Sequence, residues 1–143
     1  MQAERTQNDL IQEFIPVAGM RHLSLPDGSQ VQLNSKSTLL YPKQFTGKER
    51  CVYLVGEANF KVKPDKKHPF IVKSDDFQVT ALGTEFNVSA YPENQEISTA
   101  LLSGSVLVEW GNLTQRTVLQ PDEQLTYCLL YTSPSPRDMR RSR

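Results

Sequence analysis

The amino-acid sequence predicts an all-β fold, a single domain of short antiparallel strands with glycine corners. Two apolar alternations of period 2, Phe77–Ala81 and Phe86–Ala90, meet at Gly83-Thr84, a pattern typical of two half-buried strands. A glycine inside a strand pattern marks a bulge, a bend or a close backbone approach. Similar glycine-broken strands recur around Gly28, Gly56 and Gly104. Strands that alternate with corners indicate a sheet wrapped around a core, as in a β-sandwich, a jelly roll or a β-solenoid.

Length and composition agree with one globular domain. The chain has 143 residues, of which 38% are hydrophobic and 22% are charged. No apolar run approaches the roughly 20 residues that a membrane helix needs. The first ten residues lack the apolar segment of a signal peptide. We therefore expect either a cytoplasmic protein or a chain whose targeting segment lies outside this sequence.

In the first half of the chain, turn signals separate short apolar segments. Residues 1–13 are polar, which predicts a lead or the remnant of a linker before the domain. The strongest turn signal is Pro26-Asp27-Gly28-Ser29, because Pro presets φ, Asp bonds local backbone and Gly accepts positive φ. A hairpin is predicted where two strands flank the polar break at residues 34–37. The predicted strands are Phe14–Val17, Met20–Leu25, Val31–Leu33, Leu39–Tyr41, Val52–Val55 and Phe60–Val62.

The second half continues with strands at short spacing. No segment shows a convincing period of 3.6 residues, which argues against a helical or doubly wound fold. The predicted strands are Phe70–Val72, the two arms within Phe77–Tyr91, Ile97–Leu101, Val106–Trp110, Thr117–Leu119 and Gln124–Tyr127.

The composition changes abruptly after Tyr127. Residues 128–143 carry four arginines and one aspartate, and the string CLLYTSPSPRD resembles the translation of a sequencing-library adapter. We predict that residues 128–143 are a non-native tail that contributes nothing to the fold, and that the domain spans residues 14–127. A natural Pro/Ser/Arg tail is the alternative. The first 127 residues hold 12 basic and 15 acidic groups, a net charge of −3, which does not favour binding to nucleic acid.

The sequence contains no pattern typical of a catalytic or metal site. There is no glycine-rich phosphate loop and no Cys/His cluster with zinc spacing, and His22 lies 46 positions from His68. The acidic pairs Asp75-Asp76 and Asp122-Glu123 fall in turns, where solvated carboxylates are ordinary. Cys51, on a predicted strand, is typical of a small buried hydrophobe. We expect no enzyme activity, no cofactor and no metal.

Eight phrases taken together carry a family resemblance, although each alone is weak. They resemble, in the same order, the FecR family of iron-dicitrate-sensor type anti-sigma regulators, in its version from Bacteroides-like bacteria. The resemblance covers roughly residues 14–127. The phrases are Leu25–Asn34, Tyr41-Pro42, Gly47–Arg50, Val52–Phe60, Pro69–Val72, Leu82–Val88, Leu102–Val106 and Leu119–Gln124.

The resemblance implies a single-pass inner-membrane protein. Its cytoplasmic segment would hold an extracytoplasmic-function sigma factor, and its periplasmic domain would sense an outer-membrane TonB-dependent transducer. This sequence matches the periplasmic domain only, so a sigma-factor partner and membrane contact would depend on segments that it does not include. No nucleic-acid partner is implied.

The residues of the family phrases receive a structural role, and the partner-binding residues are not predicted. The glycines are expected to turn corners, three polar residues to bond turn backbone, and the aromatic residues to fill the core. These three sets are Gly28, Gly56, Gly83 and Gly104; Asp27, Glu57 and Thr84; and Phe60 and Phe86, nine family-phrase residues in all. Phe70 and Val88 are also expected to fill the core.

A second hypothesis is a carbohydrate-binding or export-scaffold β domain of the jelly-roll type. It would need exposed aromatic residues near carboxamides, or a calcium cluster. Trp110, beside Gly111-Asn112, is the single aromatic candidate, and a tryptophan at a strand end is more often part of a core. The relay hypothesis instead needs a free strand edge, because an all-β domain can bind a partner by strand addition. We expect that edge near the C-terminal end.

Overall fold

The computed structural model describes residues 10–14, 19–94, 96–111, 113–128 and 139–142. Within them the chain forms thirteen strands and one short 3-10 helix, Pro92–Asn94, and it forms no α-helix. None of the described residues belong to a helix long and apolar enough to cross a membrane. The strands are β1 Leu10–Phe14, β2 Arg21–Ser24, β3 Gln30–Leu33, β4 Thr38–Pro42, β5 Arg50–Lys61, β6 Phe70–Ser74, β7 Phe77–Ala81, β8 Glu85–Ala90, β9 Glu96–Ser103, β10 Val106–Trp110, β11 Gln115–Leu119, β12 Gln124–Cys128 and β13 Met139–Ser142.

The strands form two sheets that share one long strand. The first half of β5 pairs with β4 and β6, and its second half pairs with β3 and β8. Sheet A therefore has the order β1-β4-β5-β6-β7-β10-β11, and sheet B has the order β2-β3-β5-β8-β9-β12-β13. The β5–β6 pair is parallel, and every other pair in the two sheets is antiparallel.

The change of sheet within β5 occurs at Gly56. Its φ of +109° lies in a region that L side chains rarely adopt, and a Cβ atom there would lie 2.7 Å from the Cα atom of Ser37. The Ser37 hydroxyl, which is fully buried, accepts a hydrogen bond of 2.8 Å from the amide of Glu57. Gly56 thus permits the bend, and the buried Ser37 hydroxyl provides a partner for the Glu57 amide that follows it.

Successive hairpins alternate between the two sheets. The β6–β7 and β10–β11 hairpins belong to sheet A, whereas the β2–β3 and β8–β9 hairpins belong to sheet B. The chain crosses from one sheet to the other at Gly83-Thr84, at Gly104-Ser105 and again before β12. The two arms around Gly83 are therefore strands of different sheets, and they lie on opposite sides of the core.

One hydrophobic core lies between the sheets. Every second residue of β7 and β8 is buried, in the phase that the sequence predicts. Aromatic rings contact each other across the core: the centroid of Phe60 on sheet B lies 6.0 Å from that of Phe70 on sheet A, and Phe77 on sheet A lies 6.4 Å from Tyr127 on sheet B. The predicted all-β, single-domain fold is confirmed.

Two predictions about strand pairing are wrong. The segments Val31–Leu33 and Leu39–Tyr41 do not form a hairpin, because β3 and β4 pair with different halves of β5. The segments Val52–Val55 and Phe60–Val62 are not two strands, since β5 runs without interruption from Arg50 to Lys61. Both errors have one cause: a glycine at positive φ bends a strand as readily as it ends one, and local periodicity does not distinguish the two outcomes.

The ends of the domain also differ from the prediction. The polar lead assigned to residues 1–13 includes part of β1, which pairs with β4 and packs Ile11 against the core. Residues 15–17 of the first predicted strand lie outside the described residues. At the other end, β12 extends to Cys128, and Met139–Ser142 pairs with it. These four residues do join the sheet, because an edge strand offers main-chain groups to any extended segment. The non-native origin of the tail stays a prediction.

Candidate functional site

Five of the nine family-phrase residues gather at one end of sheet B. Asp27 and Gly28 lie in the β2–β3 turn, Gly83 and Thr84 join β7 to β8, and Gly104 joins β9 to β10. The segment after β5, residues 62–69, runs beside these connections. We call the five residues, together with Arg50 and this segment, the corner cluster.

The β2–β3 turn is held by the carboxylate of Asp27. Its Oδ1 atom accepts a hydrogen bond of 2.9 Å from the amide of Ser29, and its Oδ2 atom accepts one of 2.8 Å from the Ser29 hydroxyl. The same hydroxyl oxygen accepts the amide of Lys63 at 2.9 Å. The aspartate therefore bonds turn backbone, as expected, and also connects the turn to the segment that follows β5.

Arg50 is the centre of the corner cluster, although no sequence pattern predicted a role for it. Its side chain is only 3% exposed and lies with its Nη1 atom 2.7 Å from Oδ2 of Asp27. It also donates to the carbonyl oxygens of His68 at 2.6 Å, Lys63 at 2.8 Å and Asp65 at 3.4 Å. A signal was present in the sequence, since Arg50 has the inward phase of Val52 and Leu54 on the same strand.

Two positions of the corner cluster require glycine, because neighbouring atoms lie too close to leave room for a Cβ atom. A Cβ atom at Gly83 would lie 2.7 Å from the Cα atom of Pro64, and one at Gly104 would lie 2.5 Å from Cγ2 of Thr84. Gly104 also has a positive φ of +83°. Thr84 differs from the expectation: its buried hydroxyl has no hydrogen-bond partner among the described residues, and only its carbonyl oxygen bonds backbone, accepting the amide of Val62 at 2.8 Å.

The other four family-phrase residues lie elsewhere. Gly56 and Glu57 form the bend of β5, where the Glu57 side chain accepts a hydrogen bond from the Asn34 amide group at 3.4 Å rather than from turn backbone. Phe60 and Phe86 are fully buried in the core, and their rings stack with centroids 5.3 Å apart. The structure thus separates these residues into a corner, a bend and a core, and it does not bring all nine into one site.

Three titratable groups in the described part of the chain have shifted pKa values. Burial raises the pKa of the Cys51 thiol, and burial together with the nearby Asp76 carboxylate raises the pKa of the Tyr127 phenol. Both groups are therefore protonated at neutral pH and are poor nucleophiles. The hydrogen bond of 2.9 Å from His68 lowers the pKa of the exposed Asp65 carboxyl. No group of three His, Cys, Asp or Glu residues in the described ranges could hold a metal ion.

Two shallow depressions lie on the outer surface of the part of the chain that the structure describes, and Trp110 is not exposed there. One depression lies beside the Asp75-Asp76 turn, and the other lies on the outer face of sheet B around Asn59, whose amide donates to Glu85 at 3.3 Å. Trp110 is 5% exposed and tilts against Tyr127 with a centroid distance of 6.3 Å, so it belongs to the core. The aromatic candidate for a carbohydrate site is therefore not available to a ligand.

Comparisons with known proteins agree on one family. The profile of the FecR protein family matches residues 14–107. Two crystal structures of proteins assigned as anti-sigma factors from Parabacteroides distasonis ATCC 8503 are each 30% identical to this chain, with TM-scores of 0.86 and 0.84. The chain is covered over 94% and 92% of its length, and it spans 60% and 59% of theirs. No curated protein matches it. On the family match and the shared architecture, the chain belongs to the FecR family.

Proposed function

We propose that this chain is the periplasmic sensor domain of a transmembrane anti-sigma regulator. In this role it relays a signal from an outer-membrane TonB-dependent transducer to an extracytoplasmic-function sigma factor. The supporting observation is the FecR match over residues 14–107, together with the likeness of 94% of the chain to an assigned anti-sigma factor. The family match and these neighbours support an anti-sigma regulatory role. The transducer, the sigma factor and the compartment follow from the family resemblance as parts of the proposal.

The domain acts in this proposal by binding and not by catalysis. Apart from the Thr84 hydroxyl, the buried polar groups of the corner cluster satisfy one another: the Arg50 guanidinium, for example, donates to Asp27 and to three carbonyl oxygens. Such a network holds turns in place and presents no free acid, base or nucleophile to a substrate. A rigid domain with open strand edges is suited to receive a partner protein.

The outer edge of β12 is the proposed contact. One side of β12 pairs with β9, and its other side pairs with Met139–Ser142. Leu125 and Tyr127 of β12 are buried, so the strand is anchored, and its outer edge becomes available where the segment Met139–Ser142 is displaced or removed. The segment Met-Arg-Arg-Ser lacks apolar alternation, and its pairing supports the idea that this edge accepts strands through main-chain bonds. We propose that a strand of the transducer's signalling domain takes this position.

A calorimetric titration tests the proposal. The full chain and a version that ends at Cys128 are each titrated with the signalling domain of the transducer encoded beside the gene. We expect saturable binding, with micromolar affinity, because relay contacts are in the small class of about 1,200 Å² or less. The shortened chain should bind more tightly, since its edge has no competing segment.

Two results would contradict different parts of the proposal. Absence of binding at high micromolar concentration, with a folded domain, would overturn the relay function. Equal affinities of the two chains would overturn the assignment to the β12 edge while leaving the relay in place. Saturable binding of a glycan, without binding of the transducer domain, would favour the carbohydrate-binding hypothesis instead.

A further inference from the structure

The outer face of sheet A carries an apolar row that the core does not use. The residues of this row lie side by side on five adjacent strands and alternate with the inward-facing residues of each strand. Val118 is 49% exposed, and Ile71 is buried although it does not belong to the core. From β5 to β11 the row consists of Cys51, Ile71, Thr80, Leu107 and Val118.

A second row, with charged residues, runs beside the first. Lys73 lies with its Nζ atom 5.8 Å from the ring centroid of Tyr53, and Gln78 donates to Glu109 at 3.2 Å. No ion pair within 4.0 Å joins Lys73, Glu109 or Arg116 to another described side chain. From β5 to β11 this row consists of Tyr53, Lys73, Gln78, Glu109 and Arg116.

Both rows are arranged symmetrically about β7. In the apolar row, Thr80 is central and has two apolar side chains on either side. In the charged row, Gln78 is central, with Lys73 one strand away on β6 and Glu109 one strand away on β10. Adjacent strands are about 4.8 Å apart, so the cation and the anion lie at equal distances from the β7 axis.

We propose that this face binds a second copy of the same chain, with a two-fold axis that runs parallel to β7. Rotation about that axis places β6 of one copy opposite β10 of the other. Lys73 then faces Glu109 of the second copy. One strand further out, Arg116 faces the ring of Tyr53, a cation–π arrangement. Each contact occurs twice, as in an isologous interface.

The proposed dimer is separate from the proposed transducer contact. The two rows belong to sheet A, whereas the β12 edge belongs to sheet B. Five strands and two rows form a small surface, so the interface is of the weak class that buries less than about 1,200 Å² in total. Dimerisation is therefore expected to depend on protein concentration, with dissociation in the micromolar range or above.

Sedimentation velocity of the full chain, from about 1 μM to about 1 mM, measures this equilibrium. Lys73→Glu places two carboxylates against each other at both symmetric contacts, and Glu109→Lys does the same with two ammonium groups. Each single variant should dimerise at least about tenfold more weakly than the unsubstituted chain, which corresponds to about 1.4 kcal/mol. An equimolar mixture of the two single variants should form heterodimers, because every contact in the mixed pair joins opposite charges. The double variant should likewise regain self-association.

Lys61→Glu is the matched control, since it makes the same charge change at an exposed position on β5 in sheet B. It should leave dimerisation unchanged, and the far-ultraviolet circular dichroism of all variants should match that of the unsubstituted chain. A chain that stays monomeric up to about 1 mM would overturn the proposal. Dimerisation that is insensitive to both single substitutions, or that the mixture fails to restore, would overturn it as well.

Discussion

Arg50 shows how a single buried charge can organise a β corner. The guanidinium group is removed from water, and a buried charge is tolerated only when it is paired and hydrogen-bonded. Asp27 supplies the opposite charge, and the carbonyl oxygens of Lys63, Asp65 and His68 accept three further hydrogen bonds. The guanidinium group of arginine holds five donors in one rigid planar fork, whereas the three donors of an ammonium group rotate freely. The network therefore specifies how the β2–β3 turn meets residues 63–68.

At this scale we predict that Asp27→Asn strongly destabilises the domain. The substitution leaves the Arg50 charge buried without its counter-charge, and breaking a buried pair in this way costs about 3–5 kcal/mol. Urea unfolding measures the loss. Asp122→Asn, at an exposed turn with a positive φ of 72° that asparagine tolerates, is the control and should cost little. Equal stability of the two variants would mean that the pair contributes nothing to the fold.

Among the elements, β5 determines the architecture. It is twelve residues long, it pairs with four other strands, and its bend at Gly56 directs one half into each sheet. The inward residues continue in phase through the bend, so that β5 contributes to the core on both sides of it. A strand that ended at Gly56 would leave the two sheets without this covalent connection.

We predict that Gly56→Ala lowers the free energy of unfolding by at least about 2 kcal/mol, since a strained φ and overpacking each cost roughly 1–3 kcal/mol. The added Cβ atom meets Ser37, and the residue has a φ of +109°. Urea unfolding again gives the value. Gly47→Ala is the control, because no atom lies within 4 Å of a Cβ atom there and its φ is not in the positive region. A loss at Gly56 no larger than that at Gly47 would show that β5 tolerates a side chain at the bend.

The paired tail gives a second prediction about an element. Deletion of residues 129–143 should lower the free energy of unfolding by less than about 1 kcal/mol, a change of a few degrees in Tm, because a terminal strand held on one side adds little. A thermal melt monitored by circular dichroism measures it. Deletion of residues 124–143 is the comparison and should unfold the domain, since it also removes the buried Leu125 and Tyr127. A loss of many degrees in the shorter deletion would show that the tail packs against the core.

For the whole molecule, the shared strand and the common core predict one cooperative unit. Buried residues of both sheets belong to a single cluster, and aromatic contacts such as Phe60–Phe70 join the two sides. The two regions therefore cannot lose their packing independently. Such cooperativity would suit the proposed relay, because contact at one edge would act on a body that unfolds as one piece.

We predict a single unfolding transition with equal calorimetric and van't Hoff enthalpies. Val108→Ala in sheet A and Val88→Ala in sheet B, both at fully buried positions, should each lower that same transition by roughly 1–3 kcal/mol. Val55→Ala, at a position that is 47% exposed, is the control and should have little effect. Two resolved transitions, each sensitive to one of the core substitutions, would show that the sheets unfold separately.

The order of apolar and polar residues is enough to predict which strand residues face the core and where the chain changes direction. Phe86, Val88 and Ala90 are buried in the predicted phase, because the period of a strand is 2 whatever its partners are. The corner at Gly83 was equally readable, since few other residues permit such a close backbone approach. The ordered segments around these positions also predicted membership of the FecR family, which the profile match confirms.

The pairing of the strands and the contacts between distant side chains could not be predicted from local patterns and are visible in the folded chain. β3 and β4 are neighbours in sequence yet lie in different sheets, and the partners of Arg50 lie between 13 and 23 residues away along the chain. The rows on the outer face of sheet A depend on the register of five strands from three separate parts of the chain. Periodicity encodes the face of a strand, which is a local property of the backbone. Partner and register follow from the packing of the whole core, where the bend at Gly56 selects one pairing among those that the same local patterns allow.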